Sequence, residues 1–162
     1  MKLSPEQRAQ KIESYGNAFP ALLEVLKEFP KKMWGFKPAP NKWSIHEIII
    51  HLADSEANSY VRCRRLLAQP GSDVLGYDQD AWANSLNYHQ QNTDEYLELL
   101  RLLRKLSYDL IKSKPMESYQ DATINHSENG IMTFDDWLLS YEKHIAQHIE
   151  QMRRVYKIWT LI

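Results

Sequence analysis

One cysteine, Cys63, stands in the whole 162-residue chain, which excludes an intramolecular disulfide and fits a reducing compartment. No stretch approaches the roughly 18 apolar residues of a membrane-spanning helix. The opening residues Met1 to Arg8 lack the apolar core of a secretion signal. A cytoplasmic location is therefore expected. Acidic and basic residues nearly balance at a net charge of -1, so no electrostatic drive leads toward nucleic acid or an anionic membrane. Five glycines are present, and none builds a phosphate-binding loop. There is no CxxC pair and no apolar/polar alternation long enough to make a sheet.

What is present is helical periodicity, in an amount that suits a single domain spanning 1–162. Ser4, Pro5 and Gln7 form a capping box with proline at the first helical position. Behind them Ile12, Tyr15, Phe19, Leu22, Leu26 and Phe29 step by three and four residues toward Pro30, as one buried stripe does. Pro20 lies inside this pattern and predicts a kink against Gly16. Lys31 to Trp43 is a proline-containing loop. Ser44 and Glu47 then make a second capping box, and a long helix runs to Gln69, stopped by Pro70-Gly71.

A short helix from Asp78 toward Tyr88 reads as a lid, and Asn92 caps a third long helix. Its predicted core stripe is Tyr96, Leu97, Leu100, Leu103, Leu106, Leu110 and Ile111. Met116 to Met132 lacks helical periodicity and reads as a loop turning at Asn129-Gly130. Thr133 caps the last long helix, with Phe134, Leu138, Tyr141, Ile145, His148, Met152, Tyr156 and Trp159 facing inward. The predicted fold is all-α, a four-helix bundle with an additional short helix. Arg62, Arg64 and Arg65 cluster on the second long helix and read as a solvated face. Cys63, mid-helix and with no histidine at helical spacing, reads as a packed thiol rather than a nucleophile.

Within this scaffold the last helix carries His144 and His148, whose spacing stacks the two imidazoles on one face with Cβ atoms about 5–6 Å apart. Such a pair is an incomplete metal site, because catalytic zinc takes three protein ligands and a water. His51 lies on the buried stripe of the second long helix beside Ile48 and Leu52. Bundle metal sites are assembled from facing helices, so His51, His144 and His148 make a sensible triad. Asp54, three residues after His51, is positioned to accept its second ring proton. Glu56, His126, Tyr141, Gln147 and Gln151 are further wall candidates. The ring nitrogens must be unprotonated to bind, so metal is expected to be lost as pH falls below about 6.5, with bound metal pushing the midpoint lower.

The segment Trp43-Ser-Ile-His-Glu-Ile-Ile-Ile-His51-Leu-Ala-Asp-Ser-Glu56, together with His144-x-x-x-His148, resembles the two signatures of the DinB/YfiT-like family. Gly76 to Trp82 and the His126-x-Glu-x-Gly130 loop resemble one branch of it, and the resemblance runs from about Lys11 to Tyr156. It implies a four-helix bundle with a metal, often nickel or zinc, held by His51, His144 and His148; nitrogen ligands accept iron as well. It also implies a homodimer, and the many large aromatics, Trp159 among them, fit an interface. The activities it implies are uneven: thiol S-transferases using a low-molecular-weight thiol, metal-dependent hydrolases, or no known reaction. Three neutral imidazoles leave a divalent ion its full charge and an open position, able to acidify water or ionise a thiol. The HExxH arrangement of zinc proteases is absent, since Ile145, Ala146 and Gln147 separate the last two histidines. The expectation is a metal-dependent enzyme acting on a small-molecule substrate, with thiol activation ahead of hydrolysis. A non-catalytic bundle with a structural metal is the alternative.

Overall fold

Four long helices and one short one form the body of the chain in a computed structural model that describes residues 2–162: α1 (Pro5–Leu26), α2 (Ile45–Ala68), α3 (Gln79–Ser85), α4 (Thr93–Lys112) and α5 (Phe134–Trp159). Each long helix starts where its capping chemistry dictates. The Ser4, Ser44 and Thr133 hydroxyls accept from backbone N–H groups in the first turns of α1, α2 and α5, and the side chain three residues on returns the bond in each. Asn92 caps α4 through its side-chain oxygen. Helix α1 is continuous across Pro20 and ends at Leu26, short of the expected Phe29. Lys27, Glu28 and Phe29 instead close turns on carbonyls three residues back. At Gly16 the ring of Tyr108 from α4 would lie only 2.6 Å from an added Cβ, so only glycine admits this approach.

Helix α2 packs on α4 and α5, and α1 packs on α5 and α4, so the long helices circle the core in the order α1, α4, α2, α5. Tyr15, Leu22, Ile48, Ile49, Leu100, Trp137, Leu138 and Met152 are sealed inside.

Two sequence expectations need correction. The segment expected to be a loop carries strands: β2 (Thr123–His126) and β3 (Gly130–Thr133) form an antiparallel hairpin, and β1 (Asp73–Val74) joins β2 in parallel. These strands are too short for alternation to show. They are held by their surroundings, with Gly71 N–H donating to Thr123 O and Phe134 N–H to Ala122 O. The hairpin turn fell where expected, with Gly130 at φ 70°.

The stripe of α4 is the second correction. Of the expected stripe, Leu100 and Ile111 are buried, Tyr96, Leu97, Leu103 and Leu110 are half-buried and only Leu106, at 46%, is exposed, while Arg104 and Ser107 take buried places beside them. Arg104 takes an inward position because its guanidinium meets Glu56, 3.3 Å away, in an ion pair closed on all sides. With Arg104 turned inward, Leu106, two residues on, faces solvent.

Candidate metal centre

Helices α2 and α5 face each other where His51 meets His144 and His148. The ring of His51 lies edge-on to both, with centroids 5.4 Å from His144 and 4.8 Å from His148. The Nε2 atoms of His144 and His148 are 3.2 Å apart, against about 3.3 Å for two nitrogens at the edge of a tetrahedron with the usual zinc–nitrogen bond. One nitrogen from each of the three rings lies within 4.8 Å of the others, and this is the only such group among the described residues.

The donor chemistry fits a divalent ion. His51 is 2% exposed, yet neither of its ring nitrogens has a hydrogen-bond partner. Buried polar atoms are rarely left that way without an unseen ligand. His148 is already set in the right tautomer: its Nδ1–H donates to the Gln151 side-chain oxygen at 2.8 Å, which leaves the Nε2 lone pair facing the other two rings. The rings are held on their outer sides by Trp43, 4.7 Å from His51, and Tyr141, 6.1 Å from His144.

Burial and the neighbouring His148 push the His51 pKa down to about 3, and burial, His148, His51 and Arg104 push His144 down to about 2. His148 is lowered too, chiefly by burial. Protons therefore compete for the His51 and His144 nitrogens only far below the 6.5 expected from free imidazole, and for those of His148 below it. The same shifts fix how metal-free protein responds to acid. The unfolded chain protonates near pH 6.5 while the folded one refuses those protons, so stability is fully present above about 6.5 and falls as pH drops toward the folded values. Denaturant midpoints of chelator-treated protein at about pH 7 and about pH 5 should show the loss, and His144→Ala should reduce it. An unchanged difference in that variant would mean other groups cause it.

The other residues singled out from the sequence fall into three groups. Gln151 and Tyr141 belong to the site. Gln147 is exposed, and His126 stands outside the cluster on β2, its Nδ1 accepting the Glu128 and Asn129 N–H groups at 3.2 and 3.4 Å. With that nitrogen occupied, the neutral ring of His126 carries its proton on Nε2 and serves the hairpin turn. Asp54 does not support His51, because its carboxylate accepts from the Tyr88 hydroxyl instead. Glu56 is sealed between the Tyr15 hydroxyl, at 2.5 Å, and Arg104. Cys63 is buried and its thiol is pushed up to about 12, so it is inert.

A cavity of about 260 Å³ opens onto His148, bordered by Trp43, Lys42 and Gln151 and, from α3, by Gln79 and Asp80. The segment expected to act as a lid thus forms its outer rim. Sequence reasoning missed Arg62, which is buried rather than solvated and donates to the Tyr141 hydroxyl at 2.6 Å. The signal was present: His51, Ser55, Ser59, Arg62 and Leu66 all fall on one buried stripe of α2.

The DinB superfamily model matches residues 17–152. Two curated relatives, from Bacillus cereus and Bacillus thuringiensis, are each 26% identical over 148 residues, covering 90% of this chain and 83% of theirs; both are named "putative metal-dependent hydrolase". The solved structure of YfiT from Bacillus subtilis, described as "a probable metal-dependent hydrolase with an unusual four-helix bundle topology", superposes with a TM-score of 0.86 at 21% identity, covering 96% of this chain and 89% of that one. The fold is therefore that of YfiT, and with the family model spanning most of its length the chain belongs to the DinB superfamily.

Proposed function

We propose that His51, His144 and His148 hold one divalent ion and that the chain is a metal-dependent enzyme activating water or a low-molecular-weight thiol against a small-molecule substrate. The observation that carries this reading is the His51 ring, buried with both nitrogens unpartnered against two further imidazoles. When bound, the ion supplies Lewis acidity and lowers the pKa of the water or thiol beside it. The protein's own part is orientation and exclusion of water. Gln151 fixes His148, Trp43 covers His51, and Tyr141 remains a neutral phenol because burial raises its pKa.

The relatives' names favour hydrolysis. Thiol transfer is favoured by the carboxylates, since hydrolysis profits from a general base near the nucleophile and the two on α2, Asp54 and Glu56, are otherwise engaged, with Tyr88 and with Arg104, which leaves only the exposed Asp80 at the cavity rim. Tag-free protein with zinc, nickel or iron added back should be screened with electrophiles against several small thiols, and with ester and amide substrates in their absence. Thiol-dependent turnover lost in His51→Ala supports transfer; thiol-independent turnover lost in the same variant supports hydrolysis. Full metal occupancy with neither activity would leave the ion a structural role.

We further propose a cytoplasmic homodimer formed through α4. Leu99, Leu102 and Leu106 expose an apolar row on this helix, with Asp94, Glu95 and Glu98 in its first two turns and Lys105 and Lys112, with Asp109 between them, toward its end. Antiparallel pairing with a second copy sets Asp94, Glu95 and Glu98 of one helix toward Lys105 and Lys112 of the other. Sedimentation at micromolar concentration should show a dimer that Leu102→Glu with Leu106→Glu dissociates without loss of helicity. A wild-type monomer would refute it.

A further inference from the structure

Three arginines are buried in the bundle, and two of them have an obvious reason. Arg8 is paired with Asp135, Nε to Oδ1 at 2.6 Å, and Arg104 with Glu56 at 3.3 Å. Arg62 is buried as well, at 8% exposure, but among the described residues it meets no carboxylate. Its partners are the Tyr141 hydroxyl at 2.6 Å and the Leu75 carbonyl at 2.9 Å, both neutral. A guanidinium withdrawn from water without a counter-charge is costly, and a fold keeps one where something else supplies the anion.

That something has room. Arg62 lines a cavity of about 520 Å³ together with Arg65, Asn58, Asp73, Val61 and Trp82. Asp73 accepts from the Asn125 side chain at 3.1 Å and makes no ion pair with either arginine, so the lining carries two cations against one anion. Val61 and Trp82 add apolar wall. We propose that this cavity is a binding site for the anionic group, carboxylate or phosphate, of a small molecule, with Arg62 as its counter-charge. The guanidinium presents five donors in a fixed fork, of which the neutral partners engage one on each terminal nitrogen. Arg62 also touches Tyr141, whose ring stands 6.1 Å from that of His144. The anion would therefore bind one residue away from the histidine cluster. That it is the handle of the substrate rests on the metal-centre reading above; that the cavity binds an anion does not.

Inorganic phosphate and, separately, acetate should be titrated calorimetrically into chelator-treated, tag-free protein in a buffer free of competing oxyanions. Saturable binding of at least one probe is expected, weakened more than about tenfold in Arg62→Gln and unchanged in His144→Ala. Phosphate binding alone or acetate binding alone tells which group the site takes. Val61→Glu, at a position 52% exposed, places a carboxylate beside Arg62 and should abolish binding without harming the fold. Thermal melting provides a second readout: the bound probe should raise the midpoint of wild type but not of Arg62→Gln, whose own midpoint should stay level or rise. Failure of both probes to bind, or equal binding by Arg62→Gln, would overturn the proposal. Loss of binding in His144→Ala would also overturn it, by placing the anion at the histidines. Anion binding in a protein that takes up no metal would leave this site standing and sink the metal-centre reading alone.

Discussion

Replacing His51, His144 or His148 by alanine is expected to remove nearly all metal affinity. A residue that merely orients a ligand is worth about 10- to 100-fold in affinity, and losing a ligand itself should exceed that. The structure supplies the graded controls. Gln151→Ala, which frees the His148 ring by removing its 2.8 Å partner, should fall within the 10- to 100-fold range. Gln147→Ala and His89→Ala, both at exposed positions, should bind as wild type does. Helical content should persist in every variant, because sealed apolar side chains such as Leu22, Ile48 and Leu138 hold the bundle. Titration followed by circular dichroism and bound-metal analysis would expose an error plainly: His51→Ala binding normally while His144→Ala does not would confine the site to α5.

Glu56→Ala should act on the fold and spare the metal. Glu56 and Arg104 are each 1% exposed, and Arg104 also donates to the backbone carbonyls of Tyr15 and Tyr141 at 3.0 and 2.5 Å. Removing the carboxylate strands that guanidinium and the Tyr15 hydroxyl, and breaking a buried pair in this way costs about 3–5 kcal/mol. Urea unfolding should register a loss of that size. Replacing both residues by apolar ones of similar volume should recover much of it. If Glu56→Ala were as stable as wild type but bound metal weakly, Glu56 would belong to the metal centre and the structural role given to it here would be wrong.

Much of the architecture was legible because helices announce themselves locally. Ser4 with Gln7 and Ser44 with Glu47 state where a helix begins, and the i, i+4 histidines on α5 need only one turn to meet. What the sequence hid depends on distant partners. Nothing near Leu106 says that it faces water, because its orientation follows from Arg104 reaching Glu56 on another helix. The hairpin of β2 and β3 is two four-residue strands, too brief to show a period. Asp54 has the right spacing to serve His51, and only the position of Tyr88, 34 residues along the chain, draws it away. Arg62 looked like one more surface cation because charge is read more readily than phase; its place on the stripe of His51 and Leu66 was the better guide.

The three-imidazole centre shared between two helices is tested most directly by X-ray absorption at the metal edge, on tag-free protein whose metal content has been measured. One ion per chain with three imidazole nitrogens, completed by oxygen from water, is the expected result. A sulfur ligand, a fourth imidazole, or a folded protein that takes up no ion when zinc, nickel and iron are each supplied would contradict it.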